Sequence, residues 1–172
     1  DGTPFYAESG GQIVVSCRIF TVSCTAELLD CTLALPNLRR HTARISDGTV
    51  TAGQQATARI AVARRDAIRR THTGTHLLHH ALRVVLGDHV KQAGSWVGPE
   101  RLRFDFSHYE AVTPEQVLEI ERIANDQTLR NEPTRAFETT KDEAEALGAI
   151  AFFGDKYGDI VRVLEAGDTI EL

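Results

Sequence analysis

Hydrophobic and polar positions change their period about a third of the way along this chain. Residues 17–22, 26–35, 38–45 and 55–62 are rich in β-branched residues or leucine. Turn-prone pairs separate them at Pro36 and Asn37, at Asp47 and Gly48, and at Ala52 and Gly53. Short apolar segments at this spacing, with no helical period among them, predict strands and a small β-barrel. Residues 65–86 read instead as one long helix, with Asp66 near its start and Gly87 just past its end. Ile68, Leu77, Leu78, Ala81, Leu82, Val84, Val85 and Leu86 cover most of its circumference, which predicts burial against a sheet.

Beyond this helix, residues 101–107 alternate, with Leu102, Phe104 and Phe106 on one face and Arg101, Arg103 and Asp105 on the other. Thr113, Pro114 and Gln116 announce a second helix, as N-cap, first helical residue and capping-box partner. Its buried positions are expected at Val117, Ile120, Ile123 and Ala124, and its end before Asn131 and Pro133. A short helix is predicted over 141–147, stopped by Gly148, with strands over 150–153, 160–164 and 169–172 and a turn over 154–158. The change of pattern near 62–66 predicts a β unit over 1–64 and an α+β unit over 65–172.

At 172 residues, with 42% hydrophobic and 25% charged residues, the chain has the composition of a globular protein with a real core. No apolar run is long enough to span a membrane, so no membrane partner is expected. Cys17, Cys24 and Cys31 are odd in number and fit no zinc spacing, which predicts small buried thiols and a reducing, cytoplasmic setting. The chain has no methionine and begins and stops abruptly, so it is expected to be a piece of a longer polypeptide. The net charge of −5 argues against a general polyanion binder, yet residues 1–70 hold nine Arg against six acidic residues. Arg39 and Arg40, Arg64 and Arg65, and Arg69 and Arg70 could meet phosphate, although solvated strand and helix faces are the favoured reading of such groups.

The densest chemistry lies in the long helix. His72 and His76 are four residues apart and share one face, the geometry with which a single element holds one metal ion. Such a pair alone is more often a hydrogen-bonded core pair. Gly74 between them costs about 1 kcal/mol relative to alanine and points to a close approach by a backbone or a ligand. No glutamate follows His72 directly, which argues against a zinc protease. His79 lies on the same stripe but about 10.5 Å from His72 along the axis, too far to share an ion with both. It is read with His80 as packing or hydrogen-bonding, and His41, His89 and His108 as surface or structural.

Several motifs in order then carry a resemblance. Phe5, Tyr6, Ala7, Glu8, Ser9, Gly10, Gly11 and Gln12 resemble the glycine-rich motif that opens the editing region of alanyl-tRNA synthetases. The segment from His72 to Leu82 follows that family, as do Gln92 to Ser95, Arg101 to Phe106, Phe153 to Asp159, and the closing Ile170, Glu171 and Leu172. At Val15 and Cys17 the chain departs from an aspartate and a glycine usual in the family. The resemblance implies an α+β fold. A small β-barrel, similar to those of translation factors, precedes an editing core with an antiparallel sheet around a central helix, as in threonyl- and alanyl-tRNA synthetase editing domains.

It implies a proofreading hydrolase that cleaves the aminoacyl ester of Ser-tRNA(Ala) or Gly-tRNA(Ala). His72 and His76 would be Zn²⁺ ligands, with the remaining Cys and His ligands beyond Leu172. Thr75 and Gln92 would act on the substrate, and Gly10, Gly11 and Gln12 would meet the tRNA acceptor end. A site that hydrogen-bonds the serine hydroxyl discriminates better than an apolar pocket can, which suits this role. ATP and Mg²⁺ would belong only to an absent aminoacylation domain, and the rest of the synthetase would be a partner in cis. With half the ligand set absent, the 172 residues are expected to bind zinc weakly and to be weakly active or inactive. The alternatives are a free-standing trans-editing hydrolase and a non-catalytic acceptor-binding module with structural zinc.

Overall fold

Cys17 and Ile19 pack inward while Arg18 and Phe20 take the other side of the strand, and this alternation organises the first sheet. The computed structural model describes residues 2–7, 10–13, 17–35, 38–150 and 158–171. Strands β1 (Cys17–Phe20), β2 (Cys24–Leu35), β3 (Leu38–Gly48) and β4 (Thr57–Ile60) form an antiparallel sheet in the order β3-β2-β1-β4. Beneath it lie Phe5, Ala7, Cys17, Leu28, Cys31, Ile68 and Val97. All three cysteines are free and buried, as small apolar residues would be.

The expected barrel is not closed among the described residues; the sheet is open, with β3 and β4 at its edges. Closing a sheet requires an inward-facing row on every strand, and β3 is exposed at every position except the half-buried His41. The β2–β3 ladder also shifts register three times, and Leu33, Leu35 and Leu38 stay exposed toward its far end. The turn expected at Asp47 and Gly48 is the end of β3 instead. Gly48 has φ +75°, and a Cβ there would sit 1.9 Å from the Ser23 carbonyl oxygen, so glycine is required. The turn expected at Pro36 and Asn37 lies outside the described residues.

Helix α1 (Val62–Leu86) starts three residues before the predicted point, with the Arg65 N–H bonded to the Ala61 carbonyl at 2.9 Å. The β-branched Val62 had resembled the end of a strand. Gly87, at φ +110°, ends the helix. The chain divides into two units, Asp1–Thr71 with Trp96–Leu102, and His72–Ser95 with Arg103–Leu172, so α1 contributes its first ten residues to one and the remainder to the other.

Strand β5 (Lys91–Val97) pairs with β6 (Leu102–Ser107), both mostly in the second unit, while β7 (Arg135–Thr140), β8 (Ile160–Ala166) and β9 (Thr169–Glu171) form an antiparallel sheet there in that order. One core gathers Ala81, Leu82, Val90 and Ile120 with Phe104, Phe106, Ile123 and Ala124; another holds Ala144, Val161 and Val163. Of the apolar positions expected inside on α1, Ile68, Leu77, Ala81 and Leu82 are buried and Leu78, Val85 and Leu86 half-buried, while Val84 is 58% exposed.

Helix α2 (Pro114–Arg130) carries the predicted capping box at Thr113 and Gln116 and ends at Asn131 in the left-handed conformation. Val117, expected inside, is half exposed. Helix α3 (Lys141–Ala146) has a second capping box, Thr140 with Glu143. Of the segment predicted over 150–153, Ile150 forms an isolated parallel bridge to Glu171. Its other residues, and most of the turn predicted over 154–158, lie outside the described residues. The described fold is mixed, with helices and antiparallel sheets in one α+β chain.

Candidate functional site

His72, Thr75, His76 and His79 stand at spacings of three and four, so one stripe of α1 carries all four. Thr75 and His79 are buried, while His72 and His76 are half-buried. The His72 and His76 rings lie 5.0 Å apart between centroids and 33° from parallel. His79 packs on Phe104 of β6, with ring centroids 5.2 Å apart.

What holds this stripe is a carboxylate from the far end of the chain. Strand period puts Thr169 and Glu171 on one face of β9, and both are 1% exposed. Gly167 and Asp168 make the two-residue turn that returns the chain from β8, with Gly167 at φ +58°. Glu171 then bridges two histidines one turn apart. His76 Nδ1 donates to Oε2 in a short contact, and His79 Nδ1 donates to Oε1 at 2.9 Å. An ionised carboxylate only accepts, so both Nδ1 atoms carry the proton.

Burial works against the Glu171 charge and would raise its pKa. The hydrogen bonds and charges of His76 and His79 outweigh burial and bring it from the ordinary 4.5 to about 2. The consequence for His76 is chemical: with Nδ1 committed, Nε2 is its remaining ring nitrogen, and in the neutral ring it bears the lone pair that binds metals. Two neutral imidazoles on one helical face match the donor chemistry of zinc. Among the described residues, no group of three or more His, Cys, Asp or Glu side chains is arranged to hold an ion.

The other predicted residues are placed separately. Thr75 is 5% exposed on the turn between the two histidines. Gln92 is exposed on β5 and donates to Ser95 Oγ at 3.4 Å. Close by on this strand, a Cβ at Gly94 would meet Asp105 Oδ2 at 3.1 Å, so glycine suits the approach of β6.

Gly10, Gly11 and Gln12 belong to the first unit. Gly10 and Gly11 take φ +57° and +71°, and the Gly11 carbonyl accepts from the Val97 N–H at 2.8 Å. Gln12 is 4% exposed, and its side-chain oxygen accepts from Arg65, whose guanidinium stacks 4.6 Å from the Tyr6 ring. The glycines thus form a left-handed turn, and Arg65 holds the Gln12 side-chain oxygen beside it.

Sequence reasoning passed over Glu171 and gave His79 no specific partner. The local pattern pointed the other way: alternation pairs Ile170 with Leu172 as the apolar face and would set Glu171 toward solvent, so only the fold reveals the buried carboxylate.

The curated relatives of this chain share one name. The chain is 48% identical over 168 residues to an alanine–tRNA ligase of Pelotomaculum thermopropionicum, covering 98% of this chain and 19% of that protein. It is 48% identical over 173 residues to the alanine–tRNA ligase of Acetivibrio thermocellus, covering 100% and 20%. It is 49% identical over 168 residues to that of Geobacillus kaustophilus, covering 98% and 19%. No family model matches. The chain spans about a fifth of the length of the curated relatives it matches. With nearly half of its residues identical along its whole length, the chain belongs to the alanine–tRNA ligase family, as a segment of it.

Proposed function

We propose that this segment is the proofreading module of its ligase, a hydrolase for the ester of Ser-tRNA(Ala) or Gly-tRNA(Ala). The reading rests chiefly on the Glu171 bridge, which fixes His76 with Nδ1–H donated away and leaves Nε2 as the ligating nitrogen. His72 and His76 would hold zinc together with two ligands from elsewhere in the parent polypeptide. Zinc, when bound, polarises an ester carbonyl or makes a water more acidic.

The chain's own residues do the rest. Glu171 keeps the His76 ring from rotating, and His79 anchors Glu171 from the buried side. Thr75 brings a hydroxyl into a buried setting. There it could pair with a serine side chain, a contact that alanine cannot make, which is the kind of difference a selective pocket requires. Gln92, exposed on β5, would hold the ester end of the substrate. Gly10 and Gly11 would offer backbone groups to the acceptor strand.

The test is deacylation of Ser-tRNA(Ala) by the full-length protein with zinc present. Hydrolysis above background is expected, with loss on His72→Ala or His76→Ala. No rate above background would remove the hydrolase reading. Glu171→Gln is expected to weaken zinc binding by about ten- to a hundredfold, measured by competition with a chelator.

A further inference from the structure

The outward face of the first sheet is left over once the histidine site has been described. Register places Arg44 opposite Glu27, Glu27 opposite Arg18, and Arg18 opposite Arg59, so one row of charge crosses β3, β2, β1 and β4. The row spans three strand spacings, about 14 Å. All four residues are exposed, and among the described residues the only ion pair in this unit is Asp66 with Arg69. Arg18 and Arg59 are like charges held directly opposite each other, an arrangement that costs stability.

Beside this row the Arg59 guanidinium lies over the Phe20 ring, 5.2 Å from its centroid. Arg18, Phe20, Glu27 and Arg59 line a depression of about 440 Å³. Strand β4 is an edge among the described residues, so unpaired backbone groups border it. The cations of residues 1–70 are all arginine, with no lysine. Arginine is the side chain whose planar fork suits phosphate and whose face stacks on rings.

We propose that this face binds single-stranded RNA, with Arg18, Arg44 and Arg59 on the phosphodiester backbone and one base stacked at Phe20 and Arg59. A protein partner is disfavoured, because interface centres are poor in charge and this face has charge at its centre. Unpaired arginines beside an aromatic ring are the equipment of single-strand binding. The inference rests on the proofreading reading only for naming tRNA as the source of the strand.

The test uses the 172-residue chain with tRNA(Ala) and with a fluorescent single-stranded oligoribonucleotide, titrated at several salt concentrations. Arg18→Gln/Arg59→Gln is expected to weaken both at least about tenfold. It should also reduce the slope of log affinity against log salt by about 1.4, at roughly 0.7 per single-strand phosphate contact. Phe20→Leu, which keeps an apolar packing group, should cost about fivefold or more with the slope unchanged. An unchanged slope in the double-arginine variant overturns the proposal, as does equal competition by polyglutamate, which would mark a face for acidic protein. His72→Ala separates the two readings. Arginine-dependent RNA binding without any deacylation by the full-length protein would overturn the hydrolase alone. Deacylation with arginine-independent binding would overturn this face alone.

Discussion

In the first unit Arg18, Arg44 and Arg59 stand exposed on one sheet face with no ion pair among the described residues, whereas in the second Glu171 is 1% exposed and grips two histidines. Both regions concentrate charge, but they differ in what the charge does for the folded state. The arginines give little to stability, because water and salt screen them. Glu171 must be satisfied for the second unit to hold together, because an unpaired buried charge or donor costs the full desolvation penalty. Where charge is buried and bonded, it positions neighbours. Where it is exposed and unpaired, it is available to a partner.

The largest expected effect tests the buried half of this contrast. Glu171→Ala would strip the acceptor from two Nδ1–H groups, and a loss of about 3 kcal/mol or more in urea unfolding is expected. Glu171→Gln should cost less, since its one carbonyl oxygen still serves one histidine. The other ring must then change tautomer, which imidazole nitrogen chemical shifts would reveal. Two unchanged Nδ1–H tautomers in Glu171→Gln would show that the carboxylate does not orient the rings.

Acidity probes the same contact. The folded Glu171 carboxyl, at about 2, binds its proton less readily than the ordinary carboxyl at 4.5, so protons favour the unfolded chain. Its contribution, roughly 3 kcal/mol, is fully present above the unfolded value and fades as pH falls from about 4.5 toward 2. Unfolding measured over that window should show the slope in the native chain and a smaller one in Glu171→Gln. Equal slopes would assign the acid sensitivity to other carboxylates.

Sequence patterning revealed the helices better than the sheets, and revealed the histidine pair better than what holds it. The capping box at Thr113 and Gln116 is a local signal, and it was legible because both partners lie within one turn. Strands β5 and β7 were not, because Gly94 interrupts the first and the second is a largely exposed edge with little apolar period. Openness of the first sheet depends on whether β3 meets β4, a contact between segments distant in sequence. The pairing of His76 with Glu171 crosses 95 residues, and no local rule reaches that far.

Smaller effects sharpen the comparison by measuring ordinary backbone terms in the second unit. Gly167→Ala would force a side chain onto φ +58°, and its Cβ would fall 2.3 Å from Gln127 Oε1. Gln127 is buried and bonded to Asp168, so it has little freedom to withdraw. A loss of about 2 kcal/mol is expected, with the turn before Glu171 disturbed. Thr113→Ala removes the N-cap of α2 and should cost about 1 kcal/mol without touching the histidines.

The smallest expected change in stability belongs to the arginine face, and its sign is informative. Arg18 and Arg59 are exposed cross-strand neighbours of like charge, with Glu27 beside Arg18 but no ion pair formed among the described residues. Removing either charge relieves repulsion, so Arg59→Thr should leave stability within about 0.5 kcal/mol of the native chain, on the favourable side. Threonine suits an exposed strand, which keeps β4 in place. A residue retained purely for the fold would show a loss on substitution. A face kept for binding should show none in urea unfolding while RNA affinity falls. A clear destabilisation by Arg59→Thr would mean that its stacking on Phe20 serves the sheet itself, and the division between structural and available charge would have to be redrawn.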